Sequence, residues 1–349
     1  MAEFGAVVQD HARLTRPNPF SPEQSQVPMP ILTQGPDPNP KTPRLRAPPG
    51  ACDAHIHLFG PVAKYPFAPD SPYTSHDALP ETFIALQDKL GLSRAVIVSP
   101  GGYGRNYQML ADTLARFPDR FRGIALMPED TGASEFARLT RLGVRGLRMM
   151  SAKRGPHVPN YSRDIAVRAA EHGWHVQFYP HDADIVDYAD KLLALPNTIV
   201  LDHFASVPAA GGVDQAAFTT VLRMLDTGRV WVKLSGPMRC TKQNYPYPEV
   251  TPLAHALVRH APERLVWGTD WPHEPRRPRD AQRRRPARPA GGMGAGRRNE
   301  RSNPRRQCAR ALWISTGKSS IGTCCRCGNK WTRKAFFQFQ STCLCDWKF

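Results

Sequence analysis

Short apolar segments recur along the chain from residue 51 to residue 270, and turn-forming residues bound each of them. Hydrophobicity is continuous within each segment, which is typical of strands that are buried on both faces of a sheet. Eight strands are therefore predicted. Their bounds are 51–59, 94–100, 120–127, 144–150, 175–180, 197–204, 229–236 and 264–270.

Segments with the apolar periodicity of a helix lie between the predicted strands. They cover residues 79–90, 107–117, 133–142, 162–171, 183–195, 215–226 and 252–260. Strands that alternate with helices indicate parallel βα units, and eight such units predict an α/β protein with a (β/α)8 TIM barrel. An open doubly wound sheet is the alternative, but no glycine-rich phosphate loop follows the first strand.

Composition divides the chain into three parts. Residues 1–50 are rich in proline, and we expect this extension to wrap around the barrel or to extend freely. Residues 51–273 form the predicted barrel. Residues 274–349 are a basic, cysteine-containing tail with a formal charge of +15, whereas residues 1–273 carry only +2. The sequence pI of 9.9 therefore reflects the tail.

Cysteine usage and hydropathy indicate the cellular location. Only Cys52 and Cys240 of the eight cysteines lie before residue 274, which argues against a secreted, disulfide-rich protein. The sequence lacks the run of about 18 apolar residues that spans a membrane, and the N-terminus lacks the pattern of a signal peptide. We therefore expect a cytoplasmic enzyme without a membrane partner.

Polar side chains collect at the C-terminal ends of the predicted strands, where TIM barrels place their active sites. Asp53, His55 and His57 alternate along the first strand, so they point to the same side. Later strands end at further candidates, namely Ser99, Arg148, Arg154, Tyr179, His181, Asp202, His203, Arg239, Asp270 and His273. One histidine alone would most simply be a buried structural residue, but a set at one rim indicates a functional site.

Motifs at these strand ends resemble those of a known family. The segment DAHIH at 53–57 resembles the His-x-His strand of the amidohydrolase superfamily. The segments GVRGLR (143–148), LDHF (201–204) and WGTDWPH (267–273) resemble its amidohydrolase 2 branch, which contains lactonases of 2-pyrone-4,6-dicarboxylate. The resemblance covers residues 45–275 and implies a hydrolase that opens a carboxylated lactone.

The superfamily includes both metal-dependent and metal-free enzymes, so the resemblance to it does not by itself decide whether a metal is bound. His55, His57, His203 and Asp270 are of the types that bind one divalent ion such as zinc. A two-metal site is disfavoured, because the fourth strand has no Lys or Glu and Tyr179 stands where the superfamily has a histidine. The pyrone-dicarboxylate lactonases dispense with metal, and we therefore favour hydrolysis without a cofactor.

The resemblance also implies roles for the candidate residues. Asp270 is expected to act as the general base that activates water, and three histidines are expected to stabilise the oxyanion. These are His55, His57 and His203. Arginines bind carboxylates bidentately, so three of them are expected to hold a small carboxylated substrate, namely Arg148, Arg154 and Arg239. Further residues are expected to line the site, namely Tyr73, Tyr179, Ser99 and His273.

Three other functions remain open at this point. A sugar-acid lactone isomerase of the same family would use much of the same machinery. A mononuclear metal-dependent amidohydrolase or decarboxylase would use the histidines and Asp270 as ligands. A nucleic-acid-binding protein would use the arginine-rich tail to neutralise phosphates, although the balance of +2 over residues 1–273 offers no broad basic surface. We therefore expect no nucleic-acid partner, and the sequence does not indicate the oligomeric state.

The basic tail has three interpretations. It is a nucleic-acid-binding segment, a zinc module built from cysteines between 324 and 345, or the product of a reading-frame shift after residue 273. The cysteine spacing is poor for zinc. The abrupt start of an Arg/Pro/Gly/Ala-rich sequence within a motif favours the frame shift. In that case the barrel lacks its final helix, and the chain is expected to be impaired or inactive.

Overall fold

The computed structural model describes residues 30–33, 35–40, 47–48, 50–155, 158 and 160–273. The interpretations of the basic tail and most of the expectations for the N-terminal extension lie outside the described residues.

Eight parallel strands form one sheet, and each strand pairs with its neighbours in the sequence. They are β1 Cys52–Ile56, β2 Arg94–Val98, β3 Phe121–Ala125, β4 Val144–Met150, β5 His175–Tyr179, β6 Ile199–Leu201, β7 Val230–Leu234 and β8 Leu265–Trp267. Nearly all of their residues are buried, as the continuous hydrophobicity predicts. The predicted TIM barrel is confirmed, because the strand order follows the sequence without the crossover of a doubly wound sheet.

Seven α-helices lie between these strands in the described part of the chain. They are α1 Pro80–Leu90, α2 Gln108–Arg116, α3 Ala133–Leu142, α4 Arg163–Glu171, α5 Ile185–Leu193, α6 Ala216–Asp226 and α7 Thr251–His260. Each one matches a predicted helix. Helix α1 shows why the ends are sharp, since Pro80 opens its first turn and Gly91, with a φ of 73°, adopts the left-handed C-cap. No helix in the described ranges combines the length and the hydropathy that crossing a membrane requires.

The apolar faces of the helices pack against the strands in one large core. Its largest fully buried side chains include Phe83, Phe121, Phe136 and Phe178. A smaller cluster of Leu126, Met150, Val158 and Tyr179 lies at the C-terminal ends of β3, β4 and β5. This cluster forms apolar support at the barrel rim where the polar candidates collect.

The segment after β8 closes the barrel against β1, and we call this contact the seam. The Asp270 amide donates to the His55 carbonyl at 3.0 Å, and the His57 amide donates to the Trp271 carbonyl at 2.8 Å. The buried Asp53 carboxylate adds side-chain bonds, because it accepts from the Thr269 amide at 3.0 Å and from the Thr269 hydroxyl at 2.6 Å. Burial raises the pKa of Asp53 to about 7 despite these bonds. The seam fixes the position of the WGTDWPH motif relative to the His-x-His strand.

Gly268 allows the close approach at the seam. A Cβ atom at this position would lie 2.7 Å from both the backbone nitrogen and the Cβ of His55. Gly268→Ala should therefore force the seam apart and lower the free energy of unfolding by roughly 1–3 kcal/mol, the usual cost of overpacking. Urea unfolding monitored by circular dichroism measures this change.

Gly132→Ala is the matched control for this substitution. Gly132 is the N-cap of α3 with a φ of −80°, which alanine also adopts, and nothing lies within 4 Å of a Cβ placed there. The weaker cap and the lower entropy of the unfolded chain should therefore roughly cancel, and the free energy of unfolding should change little. Equal stabilities of the two variants would show that the seam tolerates a side chain.

Candidate active site

Three imidazoles and one carboxylate converge at the C-terminal rim of the barrel. Asp270 Oδ1 lies 3.7 Å from His55 Nε2, 3.6 Å from His57 Nε2 and 3.7 Å from His203 Nε2. All four side chains are buried. The structure places these four predicted residues side by side at the rim, and their catalytic roles stay predictions.

Asp270 combines a negative charge with an unsatisfied oxygen. Its Oδ2 pairs with Arg239 Nη2 at 3.3 Å, whereas the buried Oδ1 has no hydrogen-bond partner among the described residues. Burial alone would raise the pKa of Asp270, but His203 and Arg239 hold it well below its ordinary value. The carboxylate is therefore ionised at neutral pH, and one of its oxygens faces the three imidazoles.

Backbone contacts determine which nitrogen of His57 carries the proton. His57 Nδ1 lies 2.8 Å from the Val98 carbonyl oxygen, which can only accept, so Nδ1–H is the donor. In its neutral form His57 therefore presents a lone pair at Nε2. A neutral His57 accepts a hydrogen bond in the site and cannot donate to an oxyanion, which differs from the role that the sequence predicts for it.

His203 enters the site from a turn with unusual backbone geometry. Four consecutive non-glycine residues, from His203 to Ser206, have φ between 52° and 55°. This left-handed conformation is costly for residues that carry a Cβ. The turn is held in place by the His203 carbonyl, which accepts from Cys240 Sγ at 3.3 Å, and by the His203 ring, whose Nδ1 lies 2.9 Å from Ser235 Oγ. Asp270 is also left-handed, with a φ of 60°, so strain concentrates at the site.

A second buried carboxylate, Asp202, lies behind His55. Its Oδ1 is 3.3 Å from Lys233 Nζ, and its Oδ2 accepts from Gln177 Nε2 at 3.0 Å. Arg148 Nη2 is 3.6 Å from Oδ2. Burial alone would raise the pKa of Asp202, but Lys233 and His55 hold it well below its ordinary value. Asp202 is therefore a buried anion that two cations balance.

Burial and nearby positive charge lower the pKa of two of the three imidazoles, those of His55 and His203. Burial, followed by the charge of Lys233, lowers the pKa of His55 well below its ordinary value. Burial also lowers the pKa of His203 to about 4, although Asp270 and Asp202 act in the opposite direction. At neutral pH these two rings carry one proton each, so each offers one donor and one acceptor.

Two arginines surround Tyr179 beside His203. The Arg154 guanidinium lies 3.7 Å from the centre of the Tyr179 ring, and that of Arg148 lies 5.6 Å from it. The Tyr179 ring is in edge contact with His203, at 5.0 Å between centroids. Its buried hydroxyl has no partner among the described residues, and neither does the buried Ser99 Oγ. These hydroxyls are suitable for binding a ligand that is itself a hydrogen-bond acceptor.

Each of the three candidate arginines has a bond that fixes its position. Arg148 Nη1 donates to the Ser99 carbonyl at 2.7 Å. Arg154 Nε donates to the Pro180 carbonyl at 3.1 Å. Arg239 is held by its contact with Asp270. The cations are thus arranged around the cluster by the protein itself, before any substrate is bound.

Two candidates lie farther from the cluster. The Tyr73 hydroxyl accepts from the Gly102 amide at 2.9 Å, and its ring packs beside Phe59, which lies between it and His57. Tyr73 belongs to a short strand, Tyr73–Thr74, that pairs with Ile31–Leu32. His273 donates from its backbone to the Asp270 carbonyl at 2.8 Å, and its side chain is exposed.

The donor set fits one divalent metal ion in number and type. His55, His57 and Asp270 form one group of possible ligands, and His55, Asp202 and His203 form another. The unpartnered Oδ1 of Asp270 is the kind of atom that a metal would satisfy. A metal is therefore chemically possible here, although the Lys233 and Arg239 cations would oppose its binding.

Lys233 and Gln177 are not among the site residues predicted from the sequence, and Asp202 has no predicted role. The available signal was a lysine within the apolar strand VWVKL of β7 and a glutamine within HVQFY of β5. Charged and amide side chains in a strand that is buried on both faces must be paired inside the barrel. Pairing across three different strands is a tertiary fact that strand ends do not reveal.

A TIM barrel with a His-x-His strand and an aspartate after its eighth strand defines a class of hydrolytic enzymes. The sequence profile described as "Amidohydrolase" matches residues 52–291. This match covers more than half of the chain, and the chain belongs to the amidohydrolase family.

Several relatives of known activity are similar to the chain. A 2-pyrone-4,6-dicarboxylate hydrolase of Comamonas testosteroni is 35% identical over 67% of this chain and 81% of its own length. A 4-sulfomuconolactone hydrolase of Rhizobium radiobacter is 35% identical over 65% of this chain and 77% of its own length. A D-galactarolactone isomerase of Agrobacterium fabrum is 28% identical over 68% of this chain and 80% of its own length. Each of these three relatives is named for a lactone.

A solved structure shows the same architecture. The apo crystal structure of an Agrobacterium tumefaciens protein superposes with a TM-score of 0.61 at 26% identity, covering 69% of this chain and 88% of that chain. The fold derived from strand order is thus one that relatives share.

The left-handed turn at His203 predicts an unusual response to glycine. Ala205 is fully buried with a φ of 54°, and glycine adopts this conformation without the penalty of a Cβ atom. Ala205→Gly should therefore leave the free energy of unfolding unchanged or raise it by up to about 1 kcal/mol. Thermal and urea unfolding measure the difference.

Ala169→Gly is the control, because Ala169 is equally buried but lies in α4. Glycine within a helix should cost roughly 1 kcal/mol. Similar losses in both variants would contradict strain in the turn.

Proposed function

We propose that the protein hydrolyses a small cyclic ester that carries carboxylates, such as 2-pyrone-4,6-dicarboxylate or a closely similar lactone. One observation carries this proposal: Oδ1 of the buried Asp270 faces three imidazoles and has no hydrogen-bond partner among the residues that the structure describes. The arginines and the unpartnered hydroxyls beside it supply the chemistry that recognises carboxylates. The names of the relatives support the same substrate class.

In the proposed reaction, Asp270 removes a proton from water as the water oxygen attacks the ester carbonyl carbon. The carbonyl oxygen becomes an oxyanion, which N–H groups stabilise in a site that excludes bulk water. When the oxyanion collapses, the ring C–O bond breaks, and Asp270 returns the proton to the leaving oxygen. One lactone and one water thus give one ring-opened acid.

The histidines differ in what they contribute to this reaction. His203 donates from Nε2 if the Ser235 hydroxyl donates to its Nδ1, which lies 2.9 Å away. His57 presents a lone pair at Nε2 because its Nδ1–H is bound to Val98, so it suits the orientation of water. His55 is the third ring, and its Nε2 points toward the same centre.

Arg239 connects substrate binding with the strength of the base. Its guanidinium lies 3.3 Å from Asp270 Oδ2 and contributes to the low pKa of Asp270. If a substrate carboxylate takes over this arginine, the positive charge beside Asp270 is partly neutralised, and its affinity for a proton increases. A base that is weak in the free enzyme thereby becomes stronger in the complex.

We further propose that the reaction needs no metal, because two cations already balance the buried carboxylates. If an ion were bound, His55, His57, His203 and Asp270 would hold it, and it would polarise the carbonyl as a Lewis acid. From the cysteine usage of the sequence we also propose that the enzyme works in the cytoplasm. We retain Arg148, Arg154, Tyr179 and Ser99 as the proposed substrate-binding residues, with Tyr73 and His273 at the edge of the site.

Asp270→Asn tests the general base. The amide keeps the size of the side chain but cannot accept the proton, so hydrolysis of 2-pyrone-4,6-dicarboxylate by the full chain should fall by about 10²–10⁴-fold. Loss of ultraviolet absorbance of the pyrone measures the rate. Asp190→Asn, an exposed aspartate that pairs with Arg223 on the surface, should leave the rate unchanged.

Two further arms of this assay distinguish the proposed hydrolase from a metal-dependent amidohydrolase and from a lactone isomerase. Treatment with a chelator followed by elemental analysis should leave the wild-type rate unchanged, whereas a metal-dependent amidohydrolase would lose its activity together with its metal. Hydrolysis in isotopically labelled water should place the label in the product carboxylate, whereas a lactone isomerase would give no ring-opened product. If Asp270→Asn hydrolyses 2-pyrone-4,6-dicarboxylate at the wild-type rate, Asp270 is not the general base.

Tyr179→Phe tests the carboxylate site without touching the reacting atoms. The hydroxyl has no partner among the described residues, so its removal should not lower the melting temperature. Loss of a hydrogen bond to a substrate carboxylate should raise KM by about tenfold or more, with a smaller effect on kcat.

Tyr161→Phe is the control for Tyr179→Phe. The Tyr161 hydroxyl donates to the Lys191 carbonyl at the surface, so its KM should stay at the wild-type value. An unchanged KM in both variants would mean that Tyr179 only packs against its neighbours.

A further inference from the structure

Lys233 lies near the C-terminal end of β7 and is only 2% exposed. Lysine is almost never buried to this extent unless it is paired. Its partners come from three other strands, and one of them is His55, which the proposed mechanism uses. Lys233 itself has no role in that mechanism.

The ammonium group of Lys233 contacts three acceptors. It donates to Gln177 Oε1 at 2.6 Å and makes an ion pair with Asp202 Oδ1 at 3.3 Å. The third contact is a hydrogen bond with His55 Nδ1 at 3.2 Å. An ammonium group has only protons to offer, so Nδ1 of His55 must present its lone pair.

Asp202 is the competing partner for the same nitrogen. Its Oδ1 lies 3.4 Å from His55 Nδ1, slightly farther than the 3.2 Å that separates Lys233 Nζ from the same nitrogen. The geometry therefore favours a bond from Lys233 to Nδ1 over a bond from Nδ1 to Asp202.

The other side of the His55 ring gives the same tautomer independently. His55 Nε2 is 3.2 Å from His57 Nε2, and two lone pairs at that distance would repel. Since His57 Nδ1–H is committed to the Val98 carbonyl, a neutral His57 can only accept at Nε2. With His57 neutral, the proton between the two rings belongs to His55 Nε2.

We propose that Lys233 is a positioning residue that holds His55 as the tautomer with its proton on Nε2. This nitrogen lies 3.2 Å from His57 Nε2 and 3.7 Å from Asp270 Oδ1, where a substrate oxyanion would compete with His57 for the N–H. The donation to a substrate oxyanion rests on the proposed function, whereas the tautomer itself does not. Asp202, directly after the neighbouring strand β6, and Gln177, on β5 one strand farther away, hold the ammonium in place.

This arrangement also determines what else His55 can bind. Coordination of a metal through Nε2 needs a lone pair there, so the proton would have to move to Nδ1 and be accepted by Asp202. The ammonium group of Lys233, 3.2 Å from Nδ1, opposes this transfer of the proton. Lys233 thus favours hydrogen bonding over metal binding in the group formed by His55, His57, His203 and Asp270.

Nitrogen-15 NMR of the full chain with labelled histidine tests the tautomer directly, because protonated and unprotonated ring nitrogens have distinct shifts. A His55→Gln spectrum assigns the signals. In the wild-type protein at neutral pH, Nε2 of His55 should be the protonated nitrogen and Nδ1 the unprotonated one. The reverse pattern overturns the proposal, whether or not the protein hydrolyses any lactone.

Lys233→Met removes the donor and keeps most of the apolar stem. The proton of His55 should move toward Nδ1, and kcat for 2-pyrone-4,6-dicarboxylate should fall by about 10²-fold, as for the loss of one oxyanion donor, with KM changed much less. Lys233→Arg, which keeps a donor, should retain the wild-type tautomer. An unchanged tautomer in Lys233→Met refutes the role of Lys233.

Lys233→Met could unfold because it leaves a buried anion with less compensation. The double variant Lys233→Met/Asp202→Leu removes both charges and both hydrogen-bonding groups beside Nδ1 and takes its place in that case. The preference for the proton on Nε2 should then weaken, because only the contact with His57 still favours it, and an unchanged preference would refute the role of Lys233. Equilibrium dialysis against zinc adds a second readout. The variant without Lys233 should bind zinc more tightly than the wild type, and equal or weaker binding would contradict the proposed opposition to metal.

A surface substitution controls for general effects of removing a lysine. Lys89→Met, on the exposed face of α1, should change neither the tautomer nor zinc binding. If the wild-type protein hydrolyses no lactone but shows the expected tautomer and its dependence on Lys233, then the proposed function fails while this inference stands.

Discussion

Two ionised carboxylates lie inside this barrel, and the need to compensate them determines the arrangement of almost every other polar group there. An uncompensated charge in such an interior costs several kcal/mol. Asp270 is paired with Arg239, and Asp202 is paired with Lys233 and more distantly with Arg148. The imidazoles lie between the two anions, where burial keeps His55 and His203 neutral. The polar interior is thus a single electrostatic unit.

Most of the fold could be predicted from the sequence. Strands such as RAVIV and helices such as ASEFARLTRL have strong local patterns, and glycines or prolines mark their ends. The convergence of His55 and Asp270 could also be predicted, because parallel strands in a barrel end at the same rim. Both predictions follow from rules that need only the order of elements along the chain.

The sequence could not show which partner each polar side chain selects. Lys233 stands in an apolar strand, and nothing local to it indicates that Gln177, Asp202 and His55 surround it. The lone pair of His57 depends on a carbonyl of the neighbouring strand. The left-handed residues from His203 to Ser206 have side chains that give no sign of that conformation. These features depend on differences of a few tenths of an ångström between the lengths of contacts that join different strands.

The seam has a consequence for how the enzyme acquires activity during folding. It joins Thr269 to Asp53 across 216 positions, so it is among the most non-local contacts of the barrel, and such contacts carry a high entropic cost before they form. Asp270 reaches the histidines only when this contact is made. We therefore expect partly folded chains to have no catalytic centre at all, so that the first appearance of turnover reports the last step of assembly.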